Sequence, residues 1–253
     1  MAHSSDSSFS MDEISLEDGC GVDDDVSKRC LIGRILALKQ LNKQAVSLIL
    51  QGAWKVRASF SISPWNDNLY LFKFDEEDDR SWVMQEAPWS IMGSLLIRQP
   101  LVIGLPVAEM DFSRSPLWVQ VHGLPMEKLT KANGEIIGRK IGKLIRVEAH
   151  CEGLLLNRNF LHIRVEVDVF KPLPRGFTLN WGGHLLKDGS NLWISFKCKR
   201  LSDFCFNCGR IRHERTACKF ISRKAGRNFG YGPELRTGIA RNMGLRWSII
   251  ENR

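Results

Sequence analysis

The sequence predicts an α+β protein, and three observations support this fold class. Strand-like and helix-like segments alternate between residues 30 and 100. A second alternating series runs from 116 to 200 and includes one long strand of strictly alternating apolar and polar residues. A cysteine-rich loop at 203–220 follows and is too short to enclose an apolar core. These segments predict two packed units and a small third unit whose stability cannot come from an apolar core of its own.

The first predicted unit covers residues 29–103. Its predicted elements are strand 30–37, helix 43–54, strand 58–63, strand 68–74, helix 75–87 and strand 90–100. Asn42 is a good N-cap for the first helix, and Pro88 ends the second helix. Acidic residues at the start of the second helix suit the positive end of its dipole. The order β-α-β-β-α-β predicts a ferredoxin-like domain.

The second predicted unit, a smaller α+β unit, covers residues 116–200. Its predicted elements are strand 117–125, helix 130–142, strand 143–149, strand 160–169 and strand 192–201. The alternation in 160–169 places His162 and Arg164 on one face, which is typical of an antiparallel sheet with one face toward solvent. Trp118 lies on the polar face of the first strand of this unit. A tryptophan at this position is consistent with two alternatives: it stacks on an unpaired base, or another strand or domain covers it.

The charge of the chain is unevenly distributed. The 253 residues are 43% hydrophobic and 25% charged, which is typical of a globular protein, and the net charge is +8. Residues 1–30 hold eight acidic and two basic residues, whereas 197–253 hold fourteen basic and four acidic residues. We predict an acidic disordered leader at 1–28 and a loosely ordered basic tail at 221–253. The basic end favours a polyanionic partner over a merely solvated surface.

Targeting features indicate an intracellular protein that does not enter a membrane. No run of 18 apolar residues is present, and the N-terminus lacks the basic-then-apolar layout of a secretory signal. The sequence does not decide between nucleus and cytoplasm. Without an export signal, the odd number of seven cysteines is more typical of thiols and metal ligands than of disulfides.

The cysteine-rich loop has the spacing of a four-ligand metal site. Cys205, Cys208, His213 and Cys218 form the pattern C-x2-C-x4-H-x4-C. Three thiolates and one imidazole complete the tetrahedron that Zn2+ prefers. Structural zinc contributes about 10–16 kcal/mol in zinc-finger peptides, which suits a loop without a core. We therefore predict one zinc ion here; Cys198 is near enough to compete, but the set is complete without it.

The loop resembles the CCHC zinc knuckle of retroviral and retrotransposon nucleocapsid proteins. Phe206 and Asn207 match the aromatic–polar pair between the first two cysteines of that family, and Gly209 matches the glycine after the second. The family usually has glycine before the histidine, whereas this chain has Arg212, which is expected to alter the base-stacking geometry and to add a phosphate contact. Such knuckles bind single-stranded nucleic acid. The resemblance implies the same partner here, with RNA favoured over DNA.

Six residues in and beside the loop are the predicted nucleic-acid contacts. They are Phe206, Arg210, Ile211, Arg212, Arg215 and Lys219. The four cations are expected to neutralise phosphates, and the two apolar residues are expected to form a platform for a base. The alternative for the cations is a solvated face. The alternative for Phe206 is packing against the ligands or the neighbouring strand.

Seven segments between residues 30 and 220 carry a longer resemblance: CLIGRILA, NLYLFKFDEEDDR, APWSIMGSLLI, LWVQVHGLP, IGRKIGKLIRVE, RVEVDVFKPLPRGF and LWISFKCKRLSDFCFNCGRIRH. In this order they resemble a plant family in which a gag-like domain of unknown function, derived from non-LTR retrotransposons, precedes a CCHC knuckle. The resemblance implies an RNA-recognition-like first domain, a nucleic-acid-binding role and no known catalytic activity. In that module the third strand carries stacking aromatics, and here Leu69 and Leu71 take those positions. The first sheet is therefore expected to have lost that surface function.

No catalytic residue is predicted. The five acids at 75–79 cannot all face one site, and they suit a helix start better than a two-metal centre. The sequence therefore predicts a non-enzymatic, zinc-dependent binder of single-stranded nucleic acid. The alternative function is a protein-interaction scaffold, in which the knuckle is a structural or docking element and the α+β units bind a protein or a second copy of the chain. A third alternative is an element remnant without a selected role.

Overall fold

The computed structural model describes residues 27–148, 159–180, 191–220 and 230–237. The expectations for the acidic leader and for most of the basic tail lie outside these residues. The part of the tail at 230–237 is ordered against the knuckle and the second sheet, unlike the loose tail that we predicted, because Tyr231 and Leu235 pack there. No helix in the described ranges is long and apolar enough to cross a membrane.

The first unit is a five-stranded antiparallel sheet with two helices. Its elements are β1 (Cys30–Ile35), α1 (Lys43–Ala53), β2 (Phe60–Pro64), β3 (Leu69–Phe74), α2 (Glu77–Gln85), β4 (Trp89–Ile91) and β5 (Ser94–Pro100). The strand order is β2-β3-β1-β5-β4. The predicted order of elements is observed with one difference. The predicted last strand is a hairpin, because Met92 and Gly93 have φ values of 51° and 89° and reverse the chain.

Two polar side chains fix the helices of the first unit. Asn42 caps α1 as predicted, since its side chain accepts hydrogen bonds from two backbone amides of the first turn. Asp79 of α2 is buried and accepts hydrogen bonds from the backbone N–H groups of Arg57 and Ala58, at 2.8–3.1 Å. This carboxylate of the acidic run therefore ties α2 to the chain leading into β2.

The helices cover the aromatic face of the first sheet. Tyr70, Phe72 and Phe74 are buried there as the alternation predicts, and Phe72 and Phe74 pack on Trp54 with ring centroids 4.8 and 5.8 Å apart. Leu69 points to the opposite face and is also buried, because it joins a cluster shared with the second unit. Leu69 therefore offers no open platform for a base.

The second unit repeats the connectivity of the first. Its elements are β6 (Arg114–His122), α3 (Lys131–Ile141), β7 (Lys143–Glu148), β8 (Phe160–Asp168), β9 (Gly176–Thr178) and β10 (Trp193–Cys198). The strand order β7-β8-β6-β10-β9 corresponds position by position to the order in the first sheet. The described part of the connection between β8 and β10 contains β9 but no helix. Neither β9 nor the shared connectivity was predicted.

One apolar cluster joins both units and the cysteine-rich loop. It includes Ile32 and Ile97 of the first sheet, Val119 and Ile163 of the second sheet, and Phe204, Ile211 and Leu235 after β10. On α3, Gly138 permits close packing, since a Cβ there would lie 2.6 Å from the Leu144 side chain. The loop after β10 is thus packed onto the second unit rather than tethered to it.

Three arginines bind the C-terminal end of α2. Arg98, Arg164 and Arg200 each donate a hydrogen bond to a backbone carbonyl between residues 83 and 86. Cations stabilise this end of a helix because its last carbonyls are unpaired and partly negative. Burial, together with the charge of Arg164, lowers the pKa of Arg98 to about 9. Arg164 was expected to face solvent, but the end of α2 covers it and it is 8% exposed.

Candidate metal centre and adjoining surface

The four predicted zinc ligands lie together. The ligand atoms of Cys205, Cys208, His213 and Cys218 all lie within 4.8 Å of one another, and all four residues are buried. Cys208 Sγ and His213 Nε2 are 3.3 Å apart. Neighbouring ligands of a tetrahedral zinc ion with sulfur and nitrogen donors are about 3.6–3.8 Å apart. Small side-chain adjustments would give this spacing, so the donor set and its geometry fit Zn2+.

A tight backbone turn presents the first two cysteines. The Cys205 N–H donates to the Arg210 carbonyl at 2.9 Å, and the Gly209 N–H donates to the Cys205 carbonyl at 2.8 Å. Gly209 has a φ of 75°, and a Cβ there would lie 2.1 Å from the Tyr231 ring. A glycine is therefore required at this position both for its backbone conformation and for the approach of Tyr231.

The thiols at this centre differ in their proton affinity. Burial raises the pKa of Cys205 to about 11. Burial also raises the pKa of Cys218, but hydrogen bonds from His213 and Asn207 outweigh it and lower the value to about 6. Cys218 is therefore a thiolate at neutral pH, while Cys205 loses its proton when a cation takes the proton's place. Metal binding here is expected to release protons.

Cys198 lies outside the ligand set. It belongs to β10, where it is 3% exposed within the apolar cluster, and burial raises the pKa of its thiol to about 12. Its sulfur is not among the donor atoms that lie within 4.8 Å of one another. The competition that the sequence left open is therefore resolved in favour of the four-residue set.

The predicted nucleic-acid contacts separate into accessible and buried residues. Arg212, Arg215 and Lys219 are exposed, and Arg210 is half-buried. Phe206 is half-buried, with its ring 5.2 Å from that of Phe204. Ile211 is 1% exposed and packs in the apolar cluster beside Phe204, so we assign it a packing role in place of the expected platform.

Two exposed aromatic residues that the sequence analysis missed lie beside the knuckle. Phe170 is 40% exposed and Phe220 is 53% exposed. The Arg212 guanidinium lies 4.8 Å from the centroid of the Phe170 ring, and that of Arg210 lies 4.1 Å from the Phe220 ring. Arg210 Nε also donates to the Phe170 carbonyl at 2.8 Å. We call these four residues the knuckle rim.

The sequence contained a signal for only one of these aromatics. Phe220 lies two positions after the last ligand, where an aromatic next to basic residues is a candidate stacking residue. Phe170 follows β8 and is brought to the knuckle by the fold of the second unit. Nothing in its local sequence indicates that contact.

Arg212 has an unfavourable backbone conformation. Its φ is 103°, a region that non-glycine residues rarely adopt. This is the position at which the resembling knuckles have glycine. We expect Arg212→Gly to stabilise the zinc-loaded protein by about 1 kcal/mol, since relieved strain of about 1–3 kcal/mol exceeds the entropic cost of glycine, about 0.5–1 kcal/mol. Urea denaturation at fixed zinc concentration measures this change.

The matched control for that variant is Arg212→Ala. Alanine removes the same charge but keeps a Cβ at the strained position, so it should give no gain in stability. If the two variants were equally stable, relief of backbone strain at position 212 could not be the cause of the stabilisation.

Comparison with known proteins agrees with the site. Residues 23–104 match a domain of unknown function (DUF4283), and residues 186–220 match a zinc knuckle. The chain carries a DUF4283 domain followed by a zinc knuckle. The DUF4283 match covers the whole first unit, and the zinc-knuckle match includes β10 and all four ligands. This arrangement is the one that the resemblance implied.

One relative is an uncharacterized protein of Arabidopsis thaliana, At4g02000. It is 24% identical over 105 residues, which is 41% of this chain and 31% of that protein. The chain thus matches less than a third of the length of this relative.

Several solved structures are weakly similar. The NONO-1 homodimer of C. elegans has a TM-score of 0.26 and 10% identity, over 56% of this chain and 50% of that chain. The first two RRM domains of yeast poly(U)-binding protein have a TM-score of 0.23 and 9% identity, over 67% of this chain and 98% of that chain. RNA recognition domains 1 and 2 of Drosophila melanogaster Sex-lethal have a TM-score of 0.23 and 14% identity, over 54% of this chain and 85% of that chain. At these scores neither fold nor function follows from the similarity.

Proposed function

We propose that the chain is a zinc-stabilised, non-enzymatic, intracellular protein that binds single-stranded nucleic acid, with RNA preferred over DNA. The observation that carries this proposal is the knuckle rim, in which two arginines and two exposed aromatic rings adjoin a four-ligand metal centre. Zinc supplies a fixed geometry for the turn, and the side chains of the rim supply the contacts.

The charges on and beside the knuckle rim favour a phosphate backbone. Arg212, Arg215 and Lys219 are exposed on the short stretch that also contains His213 and Cys218. The acid in that stretch is Glu214, which leaves an excess of positive charge. Cations that contact phosphates release counterions on binding, so this surface predicts an affinity that falls as salt increases.

The aromatic rings of the rim favour unpaired bases. Phe170 and Phe220 each present an exposed face and are held by an arginine through a cation–π contact. Bases in a duplex are already stacked and cannot use such rings, whereas unpaired bases can. Each base stacked on an aromatic side chain contributes about 1–3 kcal/mol.

The proposal extends to fold and origin. The central strand order β2-β3-β1-β5, with α1 and α2 on one face, supports a ferredoxin-like assignment for the first unit, and the matching order in the second unit supports the same assignment there. The order of DUF4283 domain and knuckle along the chain supports descent from a gag-like protein of a non-LTR retrotransposon.

One observation favours the alternative of a scaffold. Phe204 and Ile211 of the knuckle are buried in the cluster shared by both units, as expected of a structural clip. In this alternative, zinc stabilises the fold, and the partner is a protein or a second copy of the chain. Stable packing of the knuckle is compatible with either function, so the test is the partner itself.

Fluorescence anisotropy with a labelled 16-nucleotide single-stranded RNA tests the proposal. We expect Phe220→Ala to weaken binding by about 5- to 150-fold, because one stacked base is lost. The double variant Arg215→Gln/Lys219→Gln should reduce the slope of log affinity against log salt by up to about 1.4, at about 0.7 per contact. Lys131→Gln/Lys140→Gln on α3 is the matched control and should leave the slope unchanged.

The scaffold alternative predicts a different pattern. In that case the RNA would bind weakly or not at all, the knuckle variants would behave like the α3 control, and size-exclusion chromatography would show self-association independent of RNA. DNA of the same sequence, run in parallel, tests the preference for RNA.

A further inference from the structure

The face of the second sheet opposite α3 carries a continuous strip of aromatic rings. Trp118 stacks on His162 with ring centroids 4.3 Å apart and an interplanar angle of 25°, and His122 lies 4.9 Å from Phe160. Phe160 and His162 are 6.2 Å apart and complete the strip. Trp118, His122 and Phe160 are half-buried, whereas His162 is 9% exposed. We call these four residues the aromatic strip.

The strip occupies the central strand of the sheet and one of its two neighbours. Trp118 and His122 lie on β6, and Phe160 and His162 lie on β8. These strands are paired in register, with Gln120 opposite His162 and His122 opposite Phe160. The four side chains therefore occupy neighbouring positions on one face of the sheet, where adjacent strands are about 4.8 Å apart, and Trp118 and His162 stack on each other within this surface.

Cations border the strip, and Glu148, one of the acids on this side of the sheet, is engaged. Arg146 is exposed and lies 5.0 Å from the centroid of the Trp118 ring. Lys197 on β10 pairs in register with Gln120, next to His122. Glu148 is hydrogen-bonded to His162. The charge that the border offers to a ligand is therefore positive.

His122 is a neutral ring at neutral pH. Burial, aided by the charge of Lys197, lowers the pKa of His122. A neutral imidazole hydrogen-bonded to Gln120 at 3.0 Å presents a flat ring for stacking and adds no charge of its own.

We propose that the aromatic strip is a second binding surface for single-stranded nucleic acid, with bases stacked on Trp118 and Phe160 and phosphates bound by Arg146 and Lys197. This inference rests on the proposed function, because it assumes the same ligand. A sheet surface with aromatic rings on adjacent strands and a cationic border suits consecutive unpaired bases and their backbone. The end of α2 bounds the surface at Arg164.

The corresponding face of the first sheet lacks the aromatic rings that base stacking requires. β1 and β3 take the same places in the first sheet as β6 and β8 in the second. On the face opposite the helices they carry Ile32, Leu69 and Leu71, and the first two are buried in the shared cluster. The first sheet therefore offers no comparable aromatic surface.

Anisotropy of the zinc-loaded full chain with the 16-nucleotide RNA tests this inference through three variants. Trp118→Leu should weaken binding by about 5- to 150-fold. Arg146→Gln, at an exposed side chain, should weaken binding and reduce the salt slope by about 0.7. Trp65→Leu is the matched control, since Trp65 is 40% exposed in the first unit and should not affect binding.

Photocrosslinking of the wild-type chain to 4-thiouridine RNA is a second test, and it does not require the Trp118 variant to fold. Crosslinks within β6 or β8 are the expected result. Crosslinks confined to residues 203–220, together with wild-type affinity of Arg146→Gln, would overturn the inference.

The variants separate failure of this inference from failure of the proposed function. If Phe220→Ala weakens binding while Trp118→Leu and Arg146→Gln do not, the inference is wrong and the knuckle remains the binding site. If the two sheet variants weaken binding and the knuckle variants do not, the strip binds RNA and the proposed role of the knuckle is wrong. Unchanged binding in all of them overturns both.

Discussion

Replacement of Cys208 by serine is expected to abolish zinc binding, to lower the melting temperature and to weaken binding of single-stranded RNA. Serine cannot supply the thiolate, and three remaining ligands form an incomplete site. Structural zinc contributes about 10–16 kcal/mol in zinc-finger peptides, so several kcal/mol of stabilisation should be lost. Because Phe204 and Ile211 pack in the shared cluster, the loss should reach beyond the knuckle.

Cys198→Ser is the matched control for this prediction. The same substitution is made at a buried thiol of β10, seven positions before the first ligand but outside the ligand set. We expect it to cost about 1–3 kcal/mol from burial of a hydroxyl and to retain both zinc and RNA binding. Thermal denaturation, zinc content and anisotropy are measured on both variants. A Cys208 variant that retains its zinc would contradict the proposed ligand set.

Replacement of Gly209 by alanine is expected to have the second largest effect on stability. A Cβ at this φ of 75° costs about 1–2 kcal/mol, and its 2.1 Å approach to the Tyr231 ring forces a shift that costs about 1–3 kcal/mol more. The expected total is about 2–5 kcal/mol by urea denaturation. Zinc affinity should fall as well, because the turn that presents Cys205 and Cys208 is displaced.

Gly104→Ala separates the two causes. Gly104 has a similar φ of 78°, but nothing lies within 4 Å of the Cβ that alanine would add. This variant should therefore lose only the backbone part, about 1–2 kcal/mol. Tyr231→Ala in the Gly209→Ala background should recover part of the loss. Equal costs for the two glycine variants would contradict a contact between Gly209 and Tyr231.

Local sequence signals predicted the elements of the fold well. The Asn42 cap, the alternation in 160–169 and the spacing of the four ligands each depend on neighbours within a few positions. Helix capping, strand periodicity and metal coordination require particular residue types at fixed short spacings, so they can be recognised in the sequence. The structure reproduces the cap, the strand and the ligand set, although it buries His162 and Arg164 on the strand face that was expected to meet solvent.

Features that depend on contacts between distant segments could not be predicted. Arg164 looked like a solvent-facing residue, but α2 of the other unit covers it. Ile211 looked like a stacking residue, but packing of the knuckle buries it. Phe170 joins the knuckle only because β8 ends there. Sequence periodicity shows which face a side chain takes, and tertiary packing decides what that face meets.

Native mass spectrometry of the purified chain, with and without single-stranded RNA, tests the central claim most directly. The claim is that Cys205, Cys208, His213 and Cys218 hold one zinc ion and that the chain in this form binds the RNA. The expected spectrum has one zinc per chain and an RNA adduct that is strongly reduced when a chelator removes the metal. A metal-free, folded chain that binds RNA as well as the zinc-treated chain does would contradict the claim.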